Sequence, residues 1–198
     1  MTVQDWKKVT SKDIVTGILV FLIFVSWGIG YYMGISEGEK NLNEFSNFTD
    51  QIENIVLISS DVSNAIDTAK ATAILIDEHA YIYSAVSGIS KYNKEIFFER
   101  QKEFADRTIY LLDKAYEEVA KLAFNSADGK AKQSLLQSKI EELKELAVEL
   151  RSIAYKQYVT EDDSSRAIAI ANNMISIAKD ISGLCRELID ITAKEYTR

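Results

Sequence analysis

The chain has 198 residues and a formal net charge of −7, with no proline, eight glycines and one cysteine. The acidic balance argues against a nucleic-acid partner, because phosphate binding needs clustered Lys and Arg. The lack of proline and the few glycines disfavour all-β folds, which use both in turns, and favour long helices. The single Cys185 excludes an internal disulfide, and we expect a small buried hydrophobic side chain there; a cross-chain disulfide or a reactive thiol is the alternative.

A run of 22 residues without any charge, residues 14–35, dominates the first part of the chain. A bilayer core about 30 Å thick needs about 20 helical residues, so this run has the length of a membrane span. Every backbone polar group must be paired inside the segment when it lies in hydrocarbon, which makes an α-helix the expected structure. We therefore predict a transmembrane helix over residues 14–35.

The charges on either side of this run predict its orientation. Residues 1–13 form a short arm with Lys7, Lys8 and Lys12, whereas the charges just after the run are mostly acidic. The Lys/Arg bias places the amino terminus in the cytoplasm and the bulk of the chain, residues 36–198, outside the cell membrane. A cleaved signal peptide is the rival interpretation, but the apolar run is long for the hydrophobic region of a signal peptide.

Small residues recur at every fourth position of the predicted membrane helix, at Ser26, Gly30 and Gly34. Residues four apart lie on one helix face, and the Gly-x-x-x-Gly spacing lets two membrane helices approach closely. We therefore predict a packing face for another membrane subunit or for a second copy of this chain. The alternative is that glycine is simply common in membrane helices.

The residues after the membrane run contain a capping pattern and a modification triplet. Ser36 with Glu39 resembles a capping box, so a new helix can begin here, unless the membrane helix continues with a kink at Gly38. Asn47-Phe48-Thr49 is an N-glycosylation acceptor sequence, which makes Asn47 a possible glycosylation site if the domain is exported. Such triplets also arise by chance.

Apolar residues then repeat in steps of three and four, which predicts four long amphipathic helices. The first is expected to end near Ser87–Ser90, with a possible break at Ser59-Ser60-Asp61. The other three are expected over about Asn93–Phe124, about Lys130–Tyr158, and from a capping box at Thr160 and Asp163 almost to Arg198. The predicted inward positions are Phe45, Phe48, Ile52, Ile55, Val62, Ile66, Ala69, Ala73, Ile76, Ala80 and Tyr83; Phe97, Phe104, Leu111, Ala115, Val119 and Leu122; Leu136, Ile140, Leu143, Ala147, Leu150 and Ala154; and Ala167, Ile170, Met174, Ile177, Ile181, Leu184, Leu188 and Ile191.

Four such helices joined by short turns can bury their apolar stripes only against one another. Short connections make consecutive helices antiparallel neighbours. The predicted fold is therefore all-α, with one transmembrane helix followed by an antiparallel, up-down-up-down four-helix bundle whose first helix is long.

The sequence contains no pattern that selects a catalytic, metal or cofactor site. His79 is the only histidine, and we expect it to be solvated or locally hydrogen-bonded, because Asp77, Glu78 and His79 point in three directions. Asn172 and Asn173 flank the apolar stripe of the last helix, where a buried asparagine would fix helix register. Among the ten tyrosines, Tyr110 and Tyr116 are candidate interface residues, since tyrosine offers apolar area with a polar tip; filling of the bundle near helix ends is the alternative.

Three functional hypotheses follow. The first is a non-catalytic structural or accessory subunit of a larger membrane complex, bound to lipid and to other integral-membrane subunits. The second is a ligand-sensing or adaptor bundle, which would need a pocket with convergent polar groups. The third is a self-associating envelope coiled coil, which would need the stripe of residues 45–83 to face a second copy.

Overall fold

The structure is a computed structural model that describes residues 38–85 and 91–196, and the side chains of residues 45–82 and 95–196. It contains four α-helices in this range: α1 (Gly38–Ala85), α2 (Lys91–Lys121), α3 (Ala127–Ala154) and α4 (Glu161–Tyr196). No strand occurs among the described residues, so the prediction of an all-α four-helix domain is confirmed. The predicted arm and membrane helix, residues 1–13 and 14–35, lie outside the described residues. None of the described helices has the length and apolar character needed to cross a bilayer.

Local sequence explains where these helices begin. Ser126 caps α3 by accepting a hydrogen bond from the Gly129 amide at 3.1 Å, so α3 starts three residues before the predicted Lys130. The predicted capping box of α4 is confirmed, because the Asp163 amide donates to Thr160 Oγ1 and the Thr160 amide donates to Asp163 Oδ2, each at 3.2 Å. The first helix does not break at Ser59-Ser60-Asp61, where Ile58 and Val62 on either side continue the buried stripe.

Contacts at the two ends of the bundle show that consecutive helices are antiparallel. At the end where α1 begins, called the near end, Gln51 contacts the Ala123 amide just after α2 and Thr192 in the last turns of α4. At the opposite end, called the far end, Asp77 of α1 contacts Ser164 in the first turn of α4. Consecutive helices pack on each other, and α4 packs on α1. The first helix, α1, also contacts α3 across the centre of the bundle. The up-down-up-down order is that of the prediction.

The predicted inward positions form most of the core. All those of α3 and α4 are buried, as are those of α1 between Phe48 and Ala80. Phe45 is only half-buried, and the side chain of Tyr83 lies outside the described residues. In α2, Phe97 and Phe104 are only half-buried, so the prediction is wrong there, whereas the inward positions from Leu111 to Leu122 are buried. Cys185 is buried as expected, and burial raises the pKa of its thiol to about 12. Asn172 and Asn173 are both exposed.

On each of α1, α2 and α4, the core also contains a third column of positions, seven residues apart, that the sequence analysis did not predict. A helix in a four-helix bundle touches two neighbours, so it buries a stripe about three residues wide in each heptad rather than the two of a narrow coiled-coil seam. The additional columns combine small, polar and apolar side chains. They are Gln51, Ile58, Ala65, Thr72 and His79 on α1; Gln101 and Thr108 on α2, ahead of Ala115 and Leu122; and Ser164, Ala171, Ala178, Cys185 and Thr192 on α4.

Two glycines allow a matched test of packing at the start of α3. A Cβ built on Gly129 would lie 2.7 Å from Phe124 Cβ, whereas a Cβ on Gly183 of α4 meets no atom within 4 Å. We expect Gly129→Ala to lower the free energy of unfolding by about 1–3 kcal/mol through overpacking. Gly183→Ala should raise it by about 0.5–1 kcal/mol, because alanine is the better helix former. Urea unfolding of residues 38–198 would measure both, and equal effects of the two substitutions would contradict this account of the α3 start.

Candidate interaction surface and buried polar ties

The predicted site residues that the structure describes do not form one site. Ser26, Gly30 and Gly34 lie outside the described residues. Asn47 is exposed near the start of α1, next to Phe48, whose buried ring packs edge-on against Tyr196 with the ring centroids 5.5 Å apart. The Thr49 hydroxyl of the same triplet donates to the Phe45 carbonyl at 2.9 Å. Asn47 therefore presents its side chain to solvent from a helix.

The two candidate tyrosines of α2 have different environments. Tyr110 is 59% exposed, and Lys114 lies beside its ring, with Nζ 5.9 Å from the centroid. Tyr116 is half-buried between α2 and α3, where its hydroxyl donates to Glu141 at 2.8 Å and accepts from Gln137 at 2.6 Å. Tyr116 thus joins two helices of its own bundle, while Tyr110 presents an aromatic face to solvent.

The sequence-based expectation for His79 is wrong in one respect, because its side chain is not solvated but buried with 2% exposure. Its Nδ1 lies 3.0 Å from Oε1 of Gln101, which is also fully buried. Gln101 Nε2 in turn donates to the carbonyl of Ala154 at 2.7 Å. This second contact fixes the amide orientation, so Oε1 must be the acceptor and His79 Nδ1 must carry the proton. A single glutamine therefore ties α1, α2 and the end of α3 together at the far end.

A second buried glutamine has the same role at the near end. Gln51 Oε1 accepts from the Ala123 amide at 3.1 Å, and Gln51 Nε2 lies 3.5 Å from the hydroxyl of Thr192. The Thr192 hydroxyl donates to Leu188 O at 2.8 Å. Each end of the bundle thus has a buried glutamine whose side-chain oxygen and nitrogen contact two different elements. Sequence reasoning missed these residues because a polar residue in a long helix suggests the solvent-exposed face. The available signal was that each lies in a column of positions seven residues apart on its helix.

We expect removal of the far-end amide to be costly. Gln101→Leu deletes the acceptor of His79 Nδ1 and the donor to the Ala154 carbonyl, which leaves two buried polar groups without these partners. The free energy of unfolding should fall by about 1–3 kcal/mol, measured by urea unfolding. The same substitution at the exposed Gln157 should change it by less than about 0.5 kcal/mol. A small effect at both positions would show that the amide contributes little.

A carboxylate fastens the start of α3 to the end of α4 at the near end. Glu195 accepts from the amides of Asn125 at 3.0 Å and Ser126 at 2.9 Å, and the Ser126 hydroxyl donates to it as well. Partial burial pulls the pKa of Glu195 up, but these hydrogen bonds outweigh it and hold the pKa below its ordinary value. The carboxylate also neutralises the positive end of the α3 dipole.

This contact predicts a pH dependence of stability. Because the folded-state pKa of Glu195 lies below its unfolded value of 4.5, its contribution is complete above pH 4.5 and is lost as the pH falls through the folded pKa. Glu195→Gln should therefore be less stable than the wild type near pH 7, and the difference should shrink below about pH 4.5. The exposed Glu145→Gln serves as control. A difference between wild type and Glu195→Gln that stays constant from pH 7 to pH 3 would contradict the assignment.

Two shallow grooves lie on the surface of the described residues. One groove lies beside Glu195 and Ser126, whose polar groups are already bonded to each other. Another follows the α3–α4 seam past Glu149 and Arg166, which form an ion pair at 2.7 Å. Among residues 45–82 and 95–196, no group of three or more His, Cys, Asp or Glu side chains is placed to hold a metal ion.

The large exposed apolar side chains are concentrated at the far end. Of the ten among the described residues, seven lie in the half of the bundle toward that end: Ile74, Tyr81, Ile96, Val148, Tyr155, Tyr158 and Ile168. Tyr155 is held in place, because its hydroxyl donates to Asp106 at 2.6 Å and the Arg151 guanidinium lies 4.8 Å from its ring centroid. The far end thus combines a polar interior at His79 and Gln101 with exposed apolar side chains on several helices.

No protein-family model matches the chain, and neither a curated protein nor a solved structure shows significant similarity to it.

Proposed function

We propose that this protein is a non-catalytic, membrane-anchored accessory subunit of a larger integral-membrane complex. In this proposal residues 14–35 form a single transmembrane anchor with the amino terminus in the cytoplasm. The helical bundle lies on the extracytoplasmic side and binds other subunits. Lipid and membrane proteins are its partners, and the function requires no cofactor.

The observation that carries the proposal is that the interior of the bundle is already occupied by its own side chains. The core columns are filled mostly with apolar residues, and the buried polar side chains of Gln51, His79, Gln101, Ser164 and Thr192 each bond to another side chain or to backbone. A sensor of small molecules needs a pocket with convergent, available polar groups. Here the available groups are on the surface, which favours protein binding over ligand sensing or catalysis.

The length of α1 supports a role in holding a surface away from the anchor. With 48 residues, α1 spans about 70 Å at 1.5 Å per residue. It begins ten residues before the contact between Phe48 and Tyr196, which corresponds to about 15 Å of helix ahead of that contact. An anchor ahead of α1 would therefore place the far end, with its exposed apolar residues, well beyond the bilayer surface.

The experiment that tests this function targets the small-residue face of the predicted anchor. Gly30→Leu should leave the protein expressed, inserted and helical, since leucine is favourable in the bilayer. It should block close approach of a partner helix and remove the co-migrating subunits. Native-gel electrophoresis of membranes in mild detergent, with mass-spectrometric identification of co-migrating proteins, measures this.

The matched control is Val25→Leu, which places the same side chain about 140° around an α-helix from Gly30, at 100° per residue. This variant should retain its partners. A wild-type chain that migrates with no other membrane protein would refute the accessory-subunit proposal. Retention of partners by Gly30→Leu would show that the association is made through the bundle rather than through the anchor.

A further inference from the structure

We propose that the far end of the α1–α4 surface docks a partner protein whose contact region has an apolar centre bordered by Lys and Arg. The surface consists of Ile74 and Tyr81 on α1 and Ile168 on α4. This inference rests on the proposed function, since it identifies the face of the accessory subunit that meets its partner and the chemistry of that partner.

A hydrogen bond fixes how the two helices are aligned at this surface. The Ser164 hydroxyl donates to Asp77 Oδ1 at 2.6 Å, so residues about one turn from each lie side by side across the seam. Ile74 lies three residues before Asp77, and Ile168 lies four residues after Ser164. Because α1 and α4 are antiparallel, these two isoleucines lie at the same level of the bundle. Tyr81, four residues after Asp77, extends the same face of α1.

All three side chains of this surface are exposed. Ile74 is 59% exposed, Tyr81 68% and Ile168 43%. Ile175, one heptad beyond Ile168 on the same flank of α4, is half-buried against the core. Isolated exposed apolar residues need no explanation, but exposed apolar residues at one level of two neighbouring helices form a candidate interaction surface.

The seam between α1 and α4 is built differently from the other three seams. Ion pairs cross the α1–α2 seam at Asp61 and Lys114, the α2–α3 seam at Asp113 and Lys144, and the α3–α4 seam at Lys139 and Asp180. In the described part of the chain, α1 and α4 are joined instead by Asp77 with Ser164, Gln51 with Thr192, and Phe48 with Tyr196.

Charge on the border of the surface selects the kind of partner. Five exposed acidic residues lie within about two helical turns of the apolar residues along α1 and α4. The two basic residues in the same range are paired, Lys70 with Asp67 at 3.2 Å and Arg166 with Glu149 at 2.7 Å. A partner with Lys and Arg on its rim would be attracted, whereas a second copy would place like charges against each other. Charge complementarity thus favours a basic partner over self-association. The acidic border residues are Asp67, Asp77, Glu78, Glu161 and Asp162.

The test compares Ile74 with a residue of equal exposure on another face. Val148 of α3 is 57% exposed, so Ile74→Glu and Val148→Glu add the same charge at similar solvent access. In the full-length protein in its native membrane, Ile74→Glu should reduce recovery of the co-purifying partner about tenfold or more. Val148→Glu should leave recovery within about twofold, and both variants should unfold at the wild-type temperature, since neither site is buried.

Site-specific photo-crosslinking identifies what lies on the surface. Benzoylphenylalanine at position 74 should crosslink to a partner peptide that contains apolar residues with Lys or Arg beside them, whereas the same group at position 148 should not. Replacing Asp67 and Glu78 by lysine should reduce the crosslink at position 74. Raising the salt concentration should reduce it as well.

Several outcomes would overturn the inference. A crosslink from position 74 to a second copy, to lipid or to an acidic segment would each do so, as would no crosslink in an intact complex. Retained association of Ile74→Glu would have the same meaning. These results differ from failure of the proposed function, in which the wild-type chain itself co-purifies with no membrane subunit.

Discussion

The structure depends on the need of α1, α2 and α4 to bury a stripe three positions wide in each heptad, whereas α3 buries mainly two positions. In an antiparallel four-helix bundle a helix packs on two neighbours, so its inward face covers more than the two positions of a coiled-coil seam. The third column on α4, from Ser164 to Thr192, contains only small side chains and faces α1. The same column on α1 begins with Gln51 and ends with His79, which places polar groups inside the bundle at both ends.

Burial of these polar groups is tolerated because each has a partner on another helix. An unpaired buried amide or imidazole would cost about 1–3 kcal/mol, so the pairs of Gln51 with Ala123 and of His79 with Gln101 restrict how α1 and α2 can slide along each other. Glu195 and Ser126 do the same for α3 and α4. Apolar columns repeat every seven residues and would accept a shift by one heptad, whereas these contacts are satisfied in one alignment only. Buried polar groups have this register role in other helical assemblies.

With the interior closed, the surface is where the bundle can act. Its charged residues pair across three of the four seams, whereas the α1–α4 edge carries Ile74, Tyr81 and Ile168 at the end remote from the start of α1. In the accessory subunit that we propose, this edge is the surface that would meet the partner, and the acidic residues beside it favour a partner with Lys and Arg.

Periodicity alone predicted the all-α fold, the four helices and the buried stripes of α3 and α4, since Leu136 to Ala154 and Ala167 to Ile191 repeat without a polar interruption. The capping box at Thr160 and Asp163 was equally readable, because a cap involves only neighbouring residues. Tertiary structure alone decided the environments of Gln51, His79 and Gln101, whose polarity suggests solvent until partners from other helices are known. It also decided that Phe97 and Phe104 are half-buried, and that Ile74 and Ile168 face solvent together. The physical reason is that local sequence sets the period and ends of a helix, whereas burial of a given side chain depends on which neighbouring helices cover it and at what alignment.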